Sequence, residues 1–250
     1  MTASLPSSPA AGAAASKGRP RHGVQVNNKT ALDRYPIIFE DVANATRKLP
    51  ARRVLSYGCS TGEEALILSS KYFQDAQVIG VDVSETALAK ARILTAGMPR
   101  VSIHHSTPET LAGQGPYEAI FAMSVLCRWP TSKDMDNIAA LFPFDQFCAQ
   151  VATLDAVLQP GGVLVIYNAN YEFLHAPVSA GYDLVLGSQL YHSGNVKKFR
   201  PDGNAAPGRS PTACIYRKRN ADDPATANLR ILDTSGRKVG EIPRGLPFPA

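Results

Sequence analysis

The chain alternates between short, continuous apolar runs and longer segments of helical period. Residues 53–57 (RVLSY), 77–82 (QVIGVD), 101–105 (VSIHH), 117–123 (YEAIFAM) and 163–167 (VLVIY) each read as a strand, too short for a helix and rich in β-branched residues. From Thr61, GEEALILSSKYF reads as a helix, as do 84–97 (SETALAKARILTAG) and 144–158. Ser84 stands where an N-cap belongs, and Gly97 falls just past the end of that helix. Upstream, Ile38, Phe39, Val42 and Ala45 recur at helical spacing, with Pro36 suited to a first turn. Strand and helix in alternation predict an α/β fold: a doubly wound, mostly parallel sheet with helices on both faces. Strands that are apolar throughout fit a sheet covered on both sides.

Past Tyr171 the pattern thins. FRPDGN (199–204) reads as a strand end and turn, and CIYRKR (214–219) as a late strand at the sheet's edge, expected to run antiparallel. LRILDTSGRKVGEI (229–242) has the alternation of a small hairpin around Thr234, Ser235 and Gly236. The first 23 residues are rich in Ala, Ser, Pro and Gly and are expected to form a disordered tail. The expected organisation is therefore a tail over 1–23, one domain over 24–220, and a C-terminal extension over 221–250 that forms a possible hairpin.

Composition narrows the function classes. Hydrophobic residues make up 44% and charged residues 19% of the 250, a normal globular balance. Cys59, Cys127, Cys148 and Cys214 stand far apart and form no CxxC, so neither a metal site nor a disulfide framework is expected. A reduced, cytoplasmic setting is the expectation. No apolar run approaches the roughly 18 residues of a membrane span. Lys17, Arg19 and Arg21 follow the Ala-rich stretch, the reverse of a signal peptide's order.

The net charge of +5 is uneven. Residues 1–50 hold seven basic and three acidic residues, 51–190 hold eight and thirteen, and 191–250 hold eleven and five. Only the flanks are basic, so the excess charge is weak support for a nucleic-acid partner.

The informative stretch is Val-Leu-Ser-Tyr-Gly-Cys-Ser-Thr-Gly-Glu-Glu, residues 54–64. A glycine turn between a first strand and a first helix lets the backbone approach a ligand, with helix-end N–H groups facing the crevice at the strands' carboxyl ends. Small residues at Gly58, Ser60 and Gly62 keep that approach open. Asp82 ends the next strand, 20 residues after Gly62. It is placed to accept both ribose hydroxyls, or else to cap the helix that follows; the turn before it favours ribose.

These residues resemble the class I methyltransferases that use S-adenosylmethionine. GCSTGEE (58–64) is similar to the first motif of CheR-type chemoreceptor methyltransferases, which also place serine where most relatives have an acid. Val81, Asp82 and Val83, the segment IFAMSVLCRWP (120–130) and LQPGGVLVIYN (158–168) extend the likeness over roughly residues 50–170. The resemblance implies a Rossmann-like class I methyltransferase fold. It implies that Gly58 to Gly62, with Cys59 and Ser60 between them, wrap the methionine part of the cofactor, that Glu63 receives its ammonium, and that Tyr57 also belongs to the cofactor site. Asp82 and Val83 would hold the ribose, Ser106 and Thr107 lie near the adenine, and Met123, Ser124 and Val125 lie under the cofactor. CheR-type enzymes also carry an N-terminal helical domain and an inserted β-subdomain, and neither is visible here. The usual acid after strand three is replaced by His105, Ser106 and Thr107. Only the cofactor site, not glutamyl methylation, is carried over.

A sulfonium methyl is already activated, so few catalytic residues are obligatory. Arg128 and Trp129 follow strand four, where Arg128 could bind a carboxylate or phosphate. Asn168, Asn170, Tyr171 and His175 follow strand five, making Arg128 and Tyr171 the weak catalytic candidates. Asn-Ala-Asn-Tyr (168–171) bears a superficial likeness to the NPPY motif of amino-methylating DNA enzymes, but it follows the wrong strand and lacks the prolines. His104 and His105 read as ordinary strand-end residues. Tyr182, Tyr191 and His192 are candidates for a lid, although core packing is the default reading for these aromatics. The leading expectation is methylation of a small molecule, with 172–215 shaping its pocket. The alternatives are a protein or RNA acceptor docked on Lys197, Lys198, Arg200 and 217–219, or a non-catalytic module that binds the cofactor.

Overall fold

The computed structural model describes residues 32–49, 53–188, 196–206, 213–223 and 226–244. The expected tail over 1–23 and the lid candidates Tyr191 and His192 lie outside them. Helix α1 (Pro36–Thr46) opens with proline in its first turn and buries Ile38, Phe39 and Val42 against the sheet. Each such side chain contributes about 1.5–3 kcal/mol through removal from water. There follow β1 (Arg53–Tyr57), α2 (Glu63–Ile67), β2 (Gln77–Asp82), α3 (Glu85–Leu94), β3 (Val101–His105), α4 (Pro108–Gln114), β4 (Tyr117–Met123), α5 (Phe144–Val157) and β5 (Leu158–Tyr167). The last four strands are β6 (Tyr182–Val185), β7 (Ile215–Lys218), β8 (Asn228–Leu232) and β9 (Lys238–Pro243).

All nine strands form one sheet in the order β3-β2-β1-β4-β5-β7-β6-β8-β9. Strands β3 through β5 in that order are mutually parallel. Strand β7 runs antiparallel between β5 and β6. The order reverses between β1 and β4, which opens a crevice at their carboxyl ends. One apolar cluster covers each face: Leu55, Ile120, Leu164 and α5 on one side, Val54, Phe121, Val165 and α1 on the other. This is the Rossmann-like methyltransferase layout, mostly parallel with antiparallel pairing late in the chain.

Several local expectations change. The helix expected from Thr61 starts at Glu63, and after Ile67 it widens into a π turn over Leu68–Tyr72, closed by the bond from Phe73 N–H to the Leu68 carbonyl (2.7 Å). The wider turn leaves Phe73 packed edge-on to Phe121 and Tyr72 bonded to Asp33. Residues 214–219 do not form an edge strand: β7 is interior, because its charged side chains find partners on both flanks. Lys218 donates to the carbonyls of Asp155 and Leu158, and Arg219 meets Asp183 at 2.7 Å. Tyr182 belongs to no lid; it is buried in β6 and donates to Asp155 Oδ1 at 2.7 Å. Beyond β7, β8 pairs in parallel with β6 and β9 returns beside β8, so the 226–244 segment widens the same sheet.

Candidate cofactor and acceptor site

The turn after β1 is drawn tightly to the end of β2. Gly58 and Cys59 N–H both donate to the Val81 carbonyl, at 2.8 and 2.9 Å. Ser60 adopts φ +51°, and its N–H donates to Asp82 Oδ2 at 2.9 Å. Gly62 caps α2 at φ +96°, and a Cβ there would stand 2.9 Å from the Ala91 Cα, so α2 and α3 close on each other only because residue 62 has no side chain. Cys59 points inward, and burial raises its thiol well above the usual range, which removes it as a nucleophile.

Asp82 is 2% exposed, and its second oxygen accepts from Ser84 N–H at 2.9 Å. Each carboxylate oxygen therefore has one neutral backbone donor and a further lone pair. The Asp82 carbonyl accepts from Ser106 N–H at 2.9 Å, bringing the segment after β3 to the same place. Burial raises the pKa of the Tyr57 hydroxyl, and the Ser106 side chain opposes that rise. Thr107 caps α4, accepting from Thr110 N–H at 3.1 Å, and Val83 is 42% exposed beside Asp82.

Two glutamates follow the turn, and they differ. Glu63 accepts from the Thr61 hydroxyl at 2.6 Å. Glu64 reaches back under the turn, where Ser56 Oγ donates to it at 2.7 Å. Burial pushes Glu64 up to about 7, opposed by the Ser56 bond and by the Arg34 charge. A carboxyl group is thus brought under the end of β1 from α2. The two halves of this arrangement, a serine in place of the acid and a second glutamate eight residues on, both stand in the sequence.

At the other side of the crevice, Ser124 follows β4 and Asn168 follows β5. Met123 and Val125 are both buried. Sequence reasoning missed Arg34 and Tyr35, which precede α1. The Tyr35 ring packs edge-on to Tyr167 at 5.1 Å, its hydroxyl lies 3.2 Å from Ser124 Oγ, and Arg34 lies over its face at 5.2 Å. Asp33 anchors this segment by bonds from Lys71 (2.7 Å) and Tyr72 (2.8 Å). Nothing in the periodicity of 30–36 signals that contact with residues 124 and 167.

Both weak catalytic candidates sit in structural positions. Tyr171 is wholly buried among Phe142, Phe144 and Phe147 and donates to the Phe142 carbonyl at 2.5 Å, so it is a core residue. Arg128 is 9% exposed, lies 5.0 Å over the Phe142 ring, and burial lowers its pKa. Asn170 is buried and clamps loops together: its Oδ1 accepts from Arg128 N–H, and its amide donates to Ser132 and to the Lys197 carbonyl. Of that tetrapeptide's polar side chains, only Asn168 faces the Ser124 side of the crevice.

The basic C-terminal residues are largely turned inward. Lys197 donates to the Met135 carbonyl, Lys198 to that of Ala169 and Arg217 to that of Ala45. Such bonds reduce what these cations offer to a polyanion.

Residues 54–162 match the family model described as a methyltransferase domain. No curated protein sequence matches the chain. Similar solved structures include the plantazolicin methyltransferase BamL in complex with a triazolic desmethylPZN analog and SAH, at 22% identity over 52% of this chain and 43% of that one, with a TM-score of 0.37. WbdD is 18% identical over 77% and 41%, with a TM-score of 0.45. A putative sarcosine dimethylglycine methyltransferase from Galdieria sulphuraria is 17% identical over 48% and 41%, with a TM-score of 0.35. The chain spans about two fifths of the length of each. The stretch similar to that methyltransferase-domain model runs from β1 through β4 to the start of β5 and includes the turn held to Asp82.

Proposed function

We propose that the chain is an S-adenosylmethionine-dependent methyltransferase acting on a small molecule. One observation carries the cofactor reading: Asp82 is buried at the crevice and, among the described residues, is met by two neutral backbone N–H groups, which supports a role in accepting ribose hydroxyls. In this reading Gly58, Cys59, Ser60 and Gly62 receive the methionine part, with Tyr57 and Ser106 toward the nucleoside. Thr107 and Val83 border the nucleoside, Met123, Ser124 and Val125 underlie the sulfonium, and Glu63 or Glu64 takes the ammonium. When bound, the cofactor supplies a methyl on cationic sulfur, which leaves as the C–S electron pair returns to sulfur. The chain's own residues orient the acceptor and exclude water.

The likeness to CheR-type enzymes supports the cofactor turn and not a receptor substrate. A small-molecule acceptor is favoured over RNA or protein because Lys197, Lys198, Lys218 and Arg219 bond to carbonyls and a carboxylate within the molecule. The four unpaired cysteines fit a reduced, cytoplasmic setting. We take 24–220 as the methyltransferase unit and 221–250 as its added edge. Among the described residues, no helix is long and apolar enough to cross a membrane.

Calorimetric titration with S-adenosylmethionine and S-adenosylhomocysteine, with NAD as control, tests the reading. Micromolar binding of the first two alone is expected. A folded sample that binds neither would overturn the cofactor assignment.

A further inference from the structure

Two residues at the mouth of the crevice are held in a backbone conformation that L side chains rarely adopt. Ser124, the first residue after β4, has φ +60°, and Asn168, the first after β5, has φ +55°. Each costs on the order of 1 kcal/mol or more, which the surrounding structure must offset. They lie side by side, because Met123 and Tyr167 are register partners and Ser124 N–H donates to the Tyr167 carbonyl at 2.8 Å. The strained backbone turns their side chains toward each other. Asn168 Nδ2 donates to Ser124 Oγ at 3.0 Å, and Tyr35 meets the same oxygen at 3.2 Å.

This arrangement fixes the Asn168 amide and leaves half of it unused. Asn168 is 7% exposed, and its Oδ1 is buried without a hydrogen-bond partner. A glycine would satisfy the backbone alone without burying an acceptor, whereas an orphaned carbonyl oxygen costs about 1–3 kcal/mol. A ligand N–H or O–H restores that loss, and the carboxyl ends of β4 and β5 are where an acceptor would stand.

We propose that Asn168, oriented by Ser124 and Tyr35, is an acceptor-binding residue whose Oδ1 receives an N–H of an amine acceptor. The inference rests on the cofactor reading above. The chemistry of the cluster selects nitrogen over oxygen. A neutral amine offers one hydrogen to the amide oxygen while keeping a lone pair for the methyl. A hydroxyl that donates its single hydrogen to an amide oxygen stays a weak nucleophile, because an amide does not take the proton away.

The proposal is tested without knowing the acceptor, using sinefungin, which carries an amine where the transferable methyl would be. Calorimetry should give sinefungin an affinity at least about tenfold above that of S-adenosylhomocysteine, the scale of one hydrogen bond to a charged donor. Asn168→Gly, compatible with positive φ, should bring the ratio close to one while leaving S-adenosylhomocysteine binding unchanged. Asn168→Asp, which keeps an oxygen at that place, should retain or enlarge the ratio. An unchanged ratio in Asn168→Gly overturns the proposal while the cofactor reading stands. Should that variant fail to fold, a ratio that falls in Asn168→Asp overturns it instead. Failure of both ligands to bind the native protein overturns the cofactor reading and this inference with it.

Discussion

Two buried aspartates lie at opposite sides of the sheet and are handled in opposite ways. Asp82, at the crevice, is 2% exposed and is met by two backbone N–H groups. Asp183, in β6, is 1% exposed and is met by two guanidinium groups: Arg219 at 2.7 Å and Arg230 at 2.9 and 2.5 Å. Neutral dipoles hold Asp82 in place and leave its charge available to a ligand. At Asp183 the charge is spent within the molecule, and the pairs fasten β6, β7 and β8 together. Two equally buried carboxylates are thus distinguished by their partners, not by their burial.

The comparison is broken most severely at Asp183. Asp183→Ala leaves Arg219 and Arg230 facing each other where side-chain exposure is 9% and 18%, and should cost about 3–5 kcal/mol. Urea unfolding would read that loss, with S-adenosylhomocysteine affinity preserved in the folded fraction. A loss below about 1 kcal/mol would show that the pairs do not hold the edge.

A smaller effect is expected at Glu64, the half-buried acid beneath the turn. Burial raises it to about 7, above the ordinary 4.5. Between those values the folded protein holds a proton that the unfolded chain has released, so stability falls as pH rises from about 4.5 to about 7. The change is at most about 3 kcal/mol. Glu64→Gln should remove that slope; identical pH profiles for the two proteins would contradict it.

The smallest change in stability is expected at Asp82. Asp82→Asn keeps one acceptor for the turn and should cost about 1 kcal/mol of stability. On the proposed ribose role it should nevertheless weaken S-adenosylhomocysteine about tenfold or more by calorimetry. Unchanged affinity in the folded variant would remove Asp82 from the cofactor site.

The five strands from 53 to 167 were readable because each is a continuous apolar run between turn residues, and the cofactor turn because its glycines lie beside a strand end. Strand β6 was not readable: Tyr-Asp-Leu-Val is four residues long, and its buried Asp183 makes sense only with arginines 36 and 47 positions away. Strand β7 misled for the same reason, since Arg-Lys-Arg reads as solvent-facing until Asp155 and Asp183 are beside it. Helix α4 has two glycines near its end, which hides its period. Tyr35 meets Ser124 across 89 residues, a contact no local pattern encodes. Asn168 was legible as a position after a strand, but its left-handed backbone and unused oxygen are properties of the folded loop.

The outermost strand gives the sheet a definite end. A bare strand edge is a template on which another chain can add hydrogen bonds, and long sheets are prone to grow this way. Strand β9 offers a poor template: Lys238 and Glu241 form an exposed ion pair along it, and Pro243 has no N–H to give. Adding β8 and β9 therefore moves this one boundary outward from β6 to a charged strand, while β3 forms the sheet's opposite edge.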